Sequence, residues 1–316
     1  MDYKEKYPII SVIILTLNRR DELLECLSSL ATIDYPKNKI EIVIWDNGST
    51  DGTLKTVKEY FDRIRGDGWL NLKIVTSGQN IGASQGRNRA FGMVSCDSVY
   101  ILTLDDDAVV LPNTLSALVE ALKVPTAGIV GGQVIYYDKP DQRASGAGFI
   151  NWWLGKFSEK YVDTSTRCDY VITCCCLIKK EVWNKIGGFD PDYFVYHEDV
   201  DFCVRAKRVG FTVLYEPRAV VKHKVRRQTE KDRTIEGLYY LYRNKILLIK
   251  KNANPFQKLT SFTLYLLFWL PKILLGSIIA NKGVNTREII VIFKAIYDAI
   301  VGKVGKQELF YRCFKV

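Results

Sequence analysis

Residues 98–110 read SVYILTLDDDAVV. An apolar, β-branched run ends abruptly in three consecutive aspartates, Asp105, Asp106 and Asp107. The run has the composition of a strand covered on both faces, as in a parallel sheet. Adjacent carboxylates repel one another and are seldom buried without partners. The stretch therefore predicts a central strand whose carboxyl end delivers acids to a place where positive charge is needed. On an extended chain Asp105 and Asp107 point to one side and Asp106 to the other.

The segments around it share the pattern. Residues 9–17, IISVIILTL, form another buried strand, followed by RRDELLECLSSLATI with Leu23, Leu24, Leu27 and Leu30 at helical spacing. KIEIVIWDNGST (39–50) is a strand ending in a polar turn, TLKTVKEYFDRI (53–64) a helix, NLKIVTS (71–77) a strand and SQGRNRAFGMV (84–94) a helix after a glycine-containing loop. This alternation predicts a doubly wound α/β fold with a Rossmann-like, mostly parallel sheet flanked by helices. Ligands in such folds bind beyond the carboxyl ends of the strands. Asn18, Asp46, Asn80 and Asp105–Asp107 all fall there.

Further along, residues 111–123 read as a helix, AGIVGGQVIYY (127–137) as a strand, and 139–170 as a loop-rich stretch. Next come a strand and short helix in YVITCCCLIKKEVWNKIGGF, a helix in DVDFCVRAKRVG, and a strand in FTVLYEP. From about residue 226 the alternation gives way to three helical segments near 233–252, 255–281 and 284–304. The expected organisation is a catalytic domain over residues 1–225 and a basic, apolar helical region over 226–316.

Charge divides along the same line. Residues 218–316 hold 20 basic and 6 acidic side chains, residues 1–217 hold 25 and 29. The start, MDYKEKYPII, has no apolar core of the kind a secretory signal needs. Eight cysteines without a CxxC pair, and only two histidines, argue against a structural zinc site and for reduced, buried thiols. NIGASQGRNRAF (80–91) contains neither GxGxxG nor GxxxxGK[ST], which excludes the dinucleotide-binding and P-loop fingerprints.

A carboxylate cluster at a strand end is either a solvated turn or a site for a hard divalent cation that also holds substrate phosphate. In YHEDVDFCVRAKRVG (196–210), Glu198, Asp199 and Asp201 precede an apolar–basic helix. They serve either to cap that helix or, near a metal, to take a proton from an acceptor hydroxyl. His223 follows a predicted strand and is in position to approach the same place.

Taken in order, SVIILTLNRRDELLECLSSL, IVIWDNGSTDGT, NIGASQGRNRAF, YILTLDDD, GGFDPDYFVYHEDVDFCVRAKRVG and VVKH resemble family 2 glycosyltransferases of the GT-A fold, over about residues 8–225. The DNGS form, the NxG motif and the tail YYLYRNKILLIKKN are most similar to the branch containing rhamnosyltransferases and galactofuranosyltransferases. The resemblance implies a nucleotide-diphosphate sugar donor contacted by Thr16, Asn18, Arg19, Asp46, Asn47, Ser49, Asn80, Gly82, Arg87, Asp105 and Asp106. It implies Mn²⁺ or Mg²⁺ held by Asp107 and Asp105 with His223 beside them, and Asp199 as catalytic base. The activity implied is inverting, metal-dependent transfer to a glycan or polyprenyl-linked acceptor. One departure is KVRRQ after His223, where the family often has a hydroxyl residue. The alternatives are another nucleotide-using transferase, such as a nucleotidyltransferase, and a non-catalytic scaffold on the same fold.

LTSFTLYLLFWLPKILLGSIIA (259–280) contains a single charge, Lys272, next to Pro271. Its length approaches a membrane span, whereas the Lys–Pro pair and the basic flanks Lys250, Lys251, Lys258 and Lys282 favour a peripheral or re-entrant segment on an anionic membrane surface. The expected location is the cytoplasmic face of the cell membrane. Nucleic acid is not an expected partner, because the tail is too apolar for a phosphate-tracking surface.

Overall fold

The computed structural model describes residues 7–224, 234–280 and 286–307. Residues 225–228 of the KVRRQ departure, Lys282 and Cys313 lie outside them. The framework alternates β1 (Ile10–Thr16), α1 (Arg20–Leu30), β2 (Ile40–Asp46), α2 (Thr53–Ile64), β3 (Asn71–Thr76), α3 (Ala83–Phe91) and β4 (Tyr100–Asp105). It continues through β5 (Ala108–Val110), α4 (Thr114–Leu122), β6 (Ala127–Tyr136), β11 (Cys175–Lys179), α5 (Lys180–Ile186), α6 (Glu198–Arg208) and β12 (Thr212–His223). With β10 spanning Thr166–Cys168, strand order is β10-β12-β6-β11-β4-β1-β2-β3. The β4-β1-β2-β3 half is parallel, and β11 runs antiparallel between β4 and β6.

Alternation along each strand feeds two cores. Ile10, Val12 and Ile14 of β1 pack with Leu23 and Leu27 of α1 on one face. Ile13 joins Val43, Ile101, Ile178, Trp183 and Phe202 on the other. Of the three successive cysteines, Cys175 and Cys176 within the strand alternate between the first and second cores, while Cys174, just before the strand, joins Cys175 in the first.

The stretch 139–170, expected to be loop-rich, instead carries β7 (Arg143–Ser145), β8 (Ala147–Asn151), β9 (Lys156–Lys160) and β10 (Thr166–Cys168). Strands β8 and β9 form a separate antiparallel hairpin. Its short strands and glycine-rich sequence hide the alternation that marks a longer strand. Beyond the sheet lie α7 (Ile235–Asn252), α8 (Pro255–Leu264), a π-helical turn (Tyr265–Trp269), α9 (Leu270–Ala280) and α10 (Thr286–Ile300). These helices build a third core, which also takes in Phe194 from the loop before α6.

The turn after β2 depends on glycine. Gly48 has φ +87°, and a Cβ there would lie 2.6–2.9 Å from backbone atoms of Gly78 and Gln79. Main chain cannot swing aside as a side chain does. Gly48→Ala is therefore expected to cost roughly 1–3 kcal/mol of stability, measured by urea unfolding.

Candidate active site

The carboxyl ends of β1 and β4 open into a cavity of about 800 Å³. Of the expected site residues, Thr16, Asn18, Arg19, Asn47, Asn80, Gly82, Arg87, Asp105, Asp106, Asp107 and His223 line it. Asp46, Ser49 and Asp199 are not in its wall. Asp46 is used by its own turn, accepting hydrogen bonds from Ser49 N at 3.0 Å and Ser49 Oγ at 2.5 Å. Asn18, at φ 53°, accepts from Thr50 N and fastens that turn to the end of β1.

All three aspartates face the cavity, because the chain turns at Asp106–Asp107 instead of staying extended. Each has positive charge beside it. Arg19 pairs with Asp107 and lies 3.6 Å from Asp106. Arg87 Nη2 donates to Asp105 at 3.0 Å. His223 Nε2 lies 2.7 Å from Asp107 Oδ1 and 3.7 Å from Asp105 Oδ2.

Burial acts to raise the pKa of Asp107, but His223 and Arg19 outweigh it and hold it down at about 2. Burial also opposes the charged ring of His223, and the bond to Asp107 with the charge of Asp105 reverses that, raising its pKa. Asp106, nearly enclosed, is pushed up to about 7 by burial in spite of Arg19.

Ligand atoms of Asp105, Cys174 and His223 all lie within 4.8 Å of one another. Burial drives the Cys174 thiol well above its ordinary pKa, and a hard cation prefers oxygen. The donor set that fits Mn²⁺ or Mg²⁺ is Asp105 and Asp107 with His223 alongside. Arg19 and Arg87 flank it where a diphosphate would carry its remaining charge.

Arg87 connects this cluster to the HEDVD segment. Its Nη1 donates to Glu198 Oε1 at 2.8 Å while Nη2 holds Asp105. Asp201 is fully buried and tied to Tyr193 Oη, Arg205 Nε and Asn252 Nδ2. Among the described residues, Asp199 has a single hydrogen bond, from Val200 N at 2.8 Å. Burial, then the neighbouring charge of Glu198, raises its pKa to about 7.

The loop before α6 is where sequence reasoning fell short. Phe194, Tyr196 and His197 all have left-handed backbone, at φ 61°, 68° and 66°, a conformation that persists only when its surroundings enforce it. Two neighbours on α7 do so. Asn244 Nδ2 donates to the carbonyls of Tyr193, Val195 and Tyr196 at 2.6–2.9 Å. Fully buried Arg243 donates to Asp192 O and Tyr193 O, and its Nε holds Asn244 Oδ1.

On the cavity side, Phe194 O accepts from Ala83 N at 2.6 Å, and a Cβ on Gly82 would lie 2.3 Å from the Phe194 ring. Phe194, Val195, Tyr196 and α7's Glu236 thus join the cavity wall. The RN pair in YRNK was the available signal, but its partners lie some fifty residues away.

Two family models match the chain: Glycosyl transferase family 2 over residues 11–187, and Glycosyl transferase family group 2 over residues 100–296. Among curated relatives, the N-acetylglucosaminyl-diphospho-decaprenol L-rhamnosyltransferase of Mycobacterium tuberculosis is 24% identical over 251 residues, covering 71% of this chain and 78% of that protein. Glycosyltransferase AglE of Haloferax volcanii is 23% identical over 219 residues, covering 69% and 68%.

Among solved structures, the mannosyltransferase PcManGT of Pyrobaculum calidifontis, in complex with GDP-Man and Mn²⁺, superposes with TM-score 0.61 at 20% identity, covering 92% of this chain and 81% of that one. TarS 1–349 of S. aureus, in complex with UDP-GlcNAc, gives TM-score 0.61 at 18% identity, covering 93% and 81%. These neighbours share the GT-A-like fold.

The clamp yields a local test. Asn244→Ala removes a donor from the Tyr193, Val195 and Tyr196 carbonyls, of which Tyr193 O keeps Arg243, a loss of roughly 1–3 kcal/mol. Amide hydrogen exchange should quicken across residues 193–199 while β1 and β4 stay protected. Unchanged exchange in that loop would show that Asn244 does not hold it.

Proposed function

Since the chain belongs to glycosyl transferase family 2, whose model matches more than half of it, we propose that it moves a sugar from a nucleotide-diphosphate donor to a lipid-linked glycan acceptor, inverting the anomeric carbon. The reading is carried by one observation: Arg87 bridges the Asp105 cluster to Glu198, the neighbour of Asp199. A leaving-group site and a candidate base are thereby held at a fixed separation.

The protein's own groups would act as follows. Asn18, Asn47, Asn80 and the main chain at Gly82 receive the nucleotide and sugar along the strand ends. Asp105, Asp107 and His223 would hold Mn²⁺ or Mg²⁺, which supplies Lewis acidity against the charge growing on the diphosphate. Arg19 and Arg87 add fixed positive charge to the same region. Asp199 accepts the proton of the acceptor hydroxyl, whose oxygen bonds to the anomeric carbon as the bond to the diphosphate oxygen breaks.

Of the three carboxylates in HEDVD, Glu198 is neutralised by Arg87 and Asp201 is committed to a buried network, which leaves Asp199 for proton transfer. A base with its pKa near 7 is suited to work at neutral pH.

The apolar helices suit a membrane-facing role on the cytoplasmic side, with residues 226–316 as its seat. One run, Pro255–Gly276, is long and apolar enough to cross a membrane. Phe256, Leu267, Phe268 and Ile279 are each at least 64% exposed, and on α10 Phe293, Tyr297 and Ile300 add to the apolar face. Pro271 and Lys272, both exposed, favour insertion from one side over a crossing.

Measurements on variants and on the wild-type protein test these readings. Asp107→Ala should abolish metal-dependent binding of the nucleotide sugar without unfolding the protein; unaltered binding rejects the cation assignment. Asp199→Asn should keep donor affinity and lose roughly 10²–10⁴ in kcat. Wild-type kcat should fall as pH drops below about 7, since the carboxylate must be ionised. The folded state disfavours that charge, so Asp199→Asn should melt no lower than wild type at pH 8. Finally, the full chain should float with anionic vesicles, and Leu267→Glu combined with Phe268→Glu should reduce flotation several-fold.

A further inference from the structure

Lys245, on α7, is a cation without an acid. Its ammonium lies 5.9 Å from the ring centre of Phe157, 5.8 Å from Tyr265 and 5.6 Å from Trp269. Among the described residues no carboxylate forms an ion pair with it, and burial alone lowers its pKa. By contrast, Lys250 on the same helix donates to the carbonyls of Ala299 and Ile300, and Lys251 pairs with Asp190 and Asp192. A half-buried ammonium beside aromatic rings is stabilised by cation–π attraction, and its N–H donors make no hydrogen bond among the described residues, which leaves them for an anion.

The position of this cage indicates which anion. Phe157 and Glu159 are two residues apart on β9 and share one face. Glu159 contributes to the field at Asp199, and the Phe157 ring lies tilted by 50° and 5.8 Å from that of His197, two residues before Asp199. Among the described residues, His197 Nε2 is buried without a hydrogen-bond partner.

On its other side the cage belongs to the apolar helices. Tyr265 and Trp269 bound the π-helical turn between α8 and α9, an irregularity found often at functional sites. Trp269 Nε1 donates to Leu154 O, tying that turn to the β8–β9 hairpin. Tyr265 also walls an apolar cavity of about 290 Å³ between α7, α8 and α10. An anion at Lys245 therefore lies between the candidate base and a surface suited to hydrocarbon.

We propose that Lys245, within the cage of Phe157, Tyr265 and Trp269, binds the phosphate of a polyprenyl-linked acceptor, with the lipid chain leaving along the apolar helices and the sugar reaching toward Asp199. This rests on the lipid-linked acceptor reading above. It assigns that acceptor a phosphate site separate from the cavity holding the donor diphosphate.

The test uses the full-length protein and three probes, farnesyl diphosphate, farnesol and inorganic diphosphate, followed by calorimetry and by intrinsic tryptophan fluorescence, to which Trp269 of the cage contributes. Farnesyl diphosphate should bind at least about tenfold more tightly than either other probe. Lys245→Gln should remove that advantage and Lys245→Arg should keep most of it, with nucleoside diphosphate binding in Mn²⁺ unchanged in both.

The proposal is overturned if farnesyl diphosphate binds Lys245→Gln as it binds wild type, if inorganic diphosphate matches it, or if a nucleoside diphosphate displaces it. Should Lys245→Gln fail to fold, the probe comparison and the competition in wild type still decide. Efficient transfer to a lipid-free glycan would count against the lipid-acceptor reading alone, because the binding measurements do not depend on turnover.

Discussion

The arrangement depends on neutralising negative charge. Asp105, Asp106, Asp107, Glu198 and Asp199 gather at one end of the sheet, and in a partly desolvated site their repulsion would be prohibitive without counter-charge. Arg19 comes from the end of β1, Arg87 from α3 and His223 from the end of β12. Each belongs to a different element, so the sheet order, the β1-to-α1 connection and the return of β12 along β6 must all be right together. Arg87 carries the greatest share, since its two terminal nitrogens hold carboxylates 93 residues apart in the chain.

Much of this was legible in the sequence. Strands buried on both faces announce themselves as unbroken apolar runs, and the polar residue ending each run marks where the ligand belongs. That logic reached Asn18, Asn80, the three aspartates and His223. It did not anticipate that Asp46 and Ser49 bond to each other within their own turn, because composition does not reveal whether a strand-end carboxylate looks outward or back to its own backbone. It also misjudged Asp106, since an extended chain was assumed where a turn occurs. The β8–β9 hairpin was missed because five-residue strands between glycines carry too little pattern.

The least legible part was the contribution of α7. In the sequence YRNK reads as the start of a helical appendage. In the fold, Arg243 and Asn244 serve as the missing half of a loop that ends fifty residues earlier. Nothing in local propensity or periodicity connects an asparagine amide to distant carbonyls. The same distance hid Lys245, whose aromatic neighbours come from a hairpin and a helix on opposite sides of it in the chain.

The Arg243–Asn244 clamp bears on when the protein becomes competent during its synthesis. A nascent chain that has left the ribosome only as far as β12 already has every strand and both cavity arginines. Its loop before α6, however, lacks the amide and guanidinium that hold three residues in left-handed backbone. The strand-end cavity is thus assembled early and the loop before α6 late, by the segment that leads directly into the apolar helices.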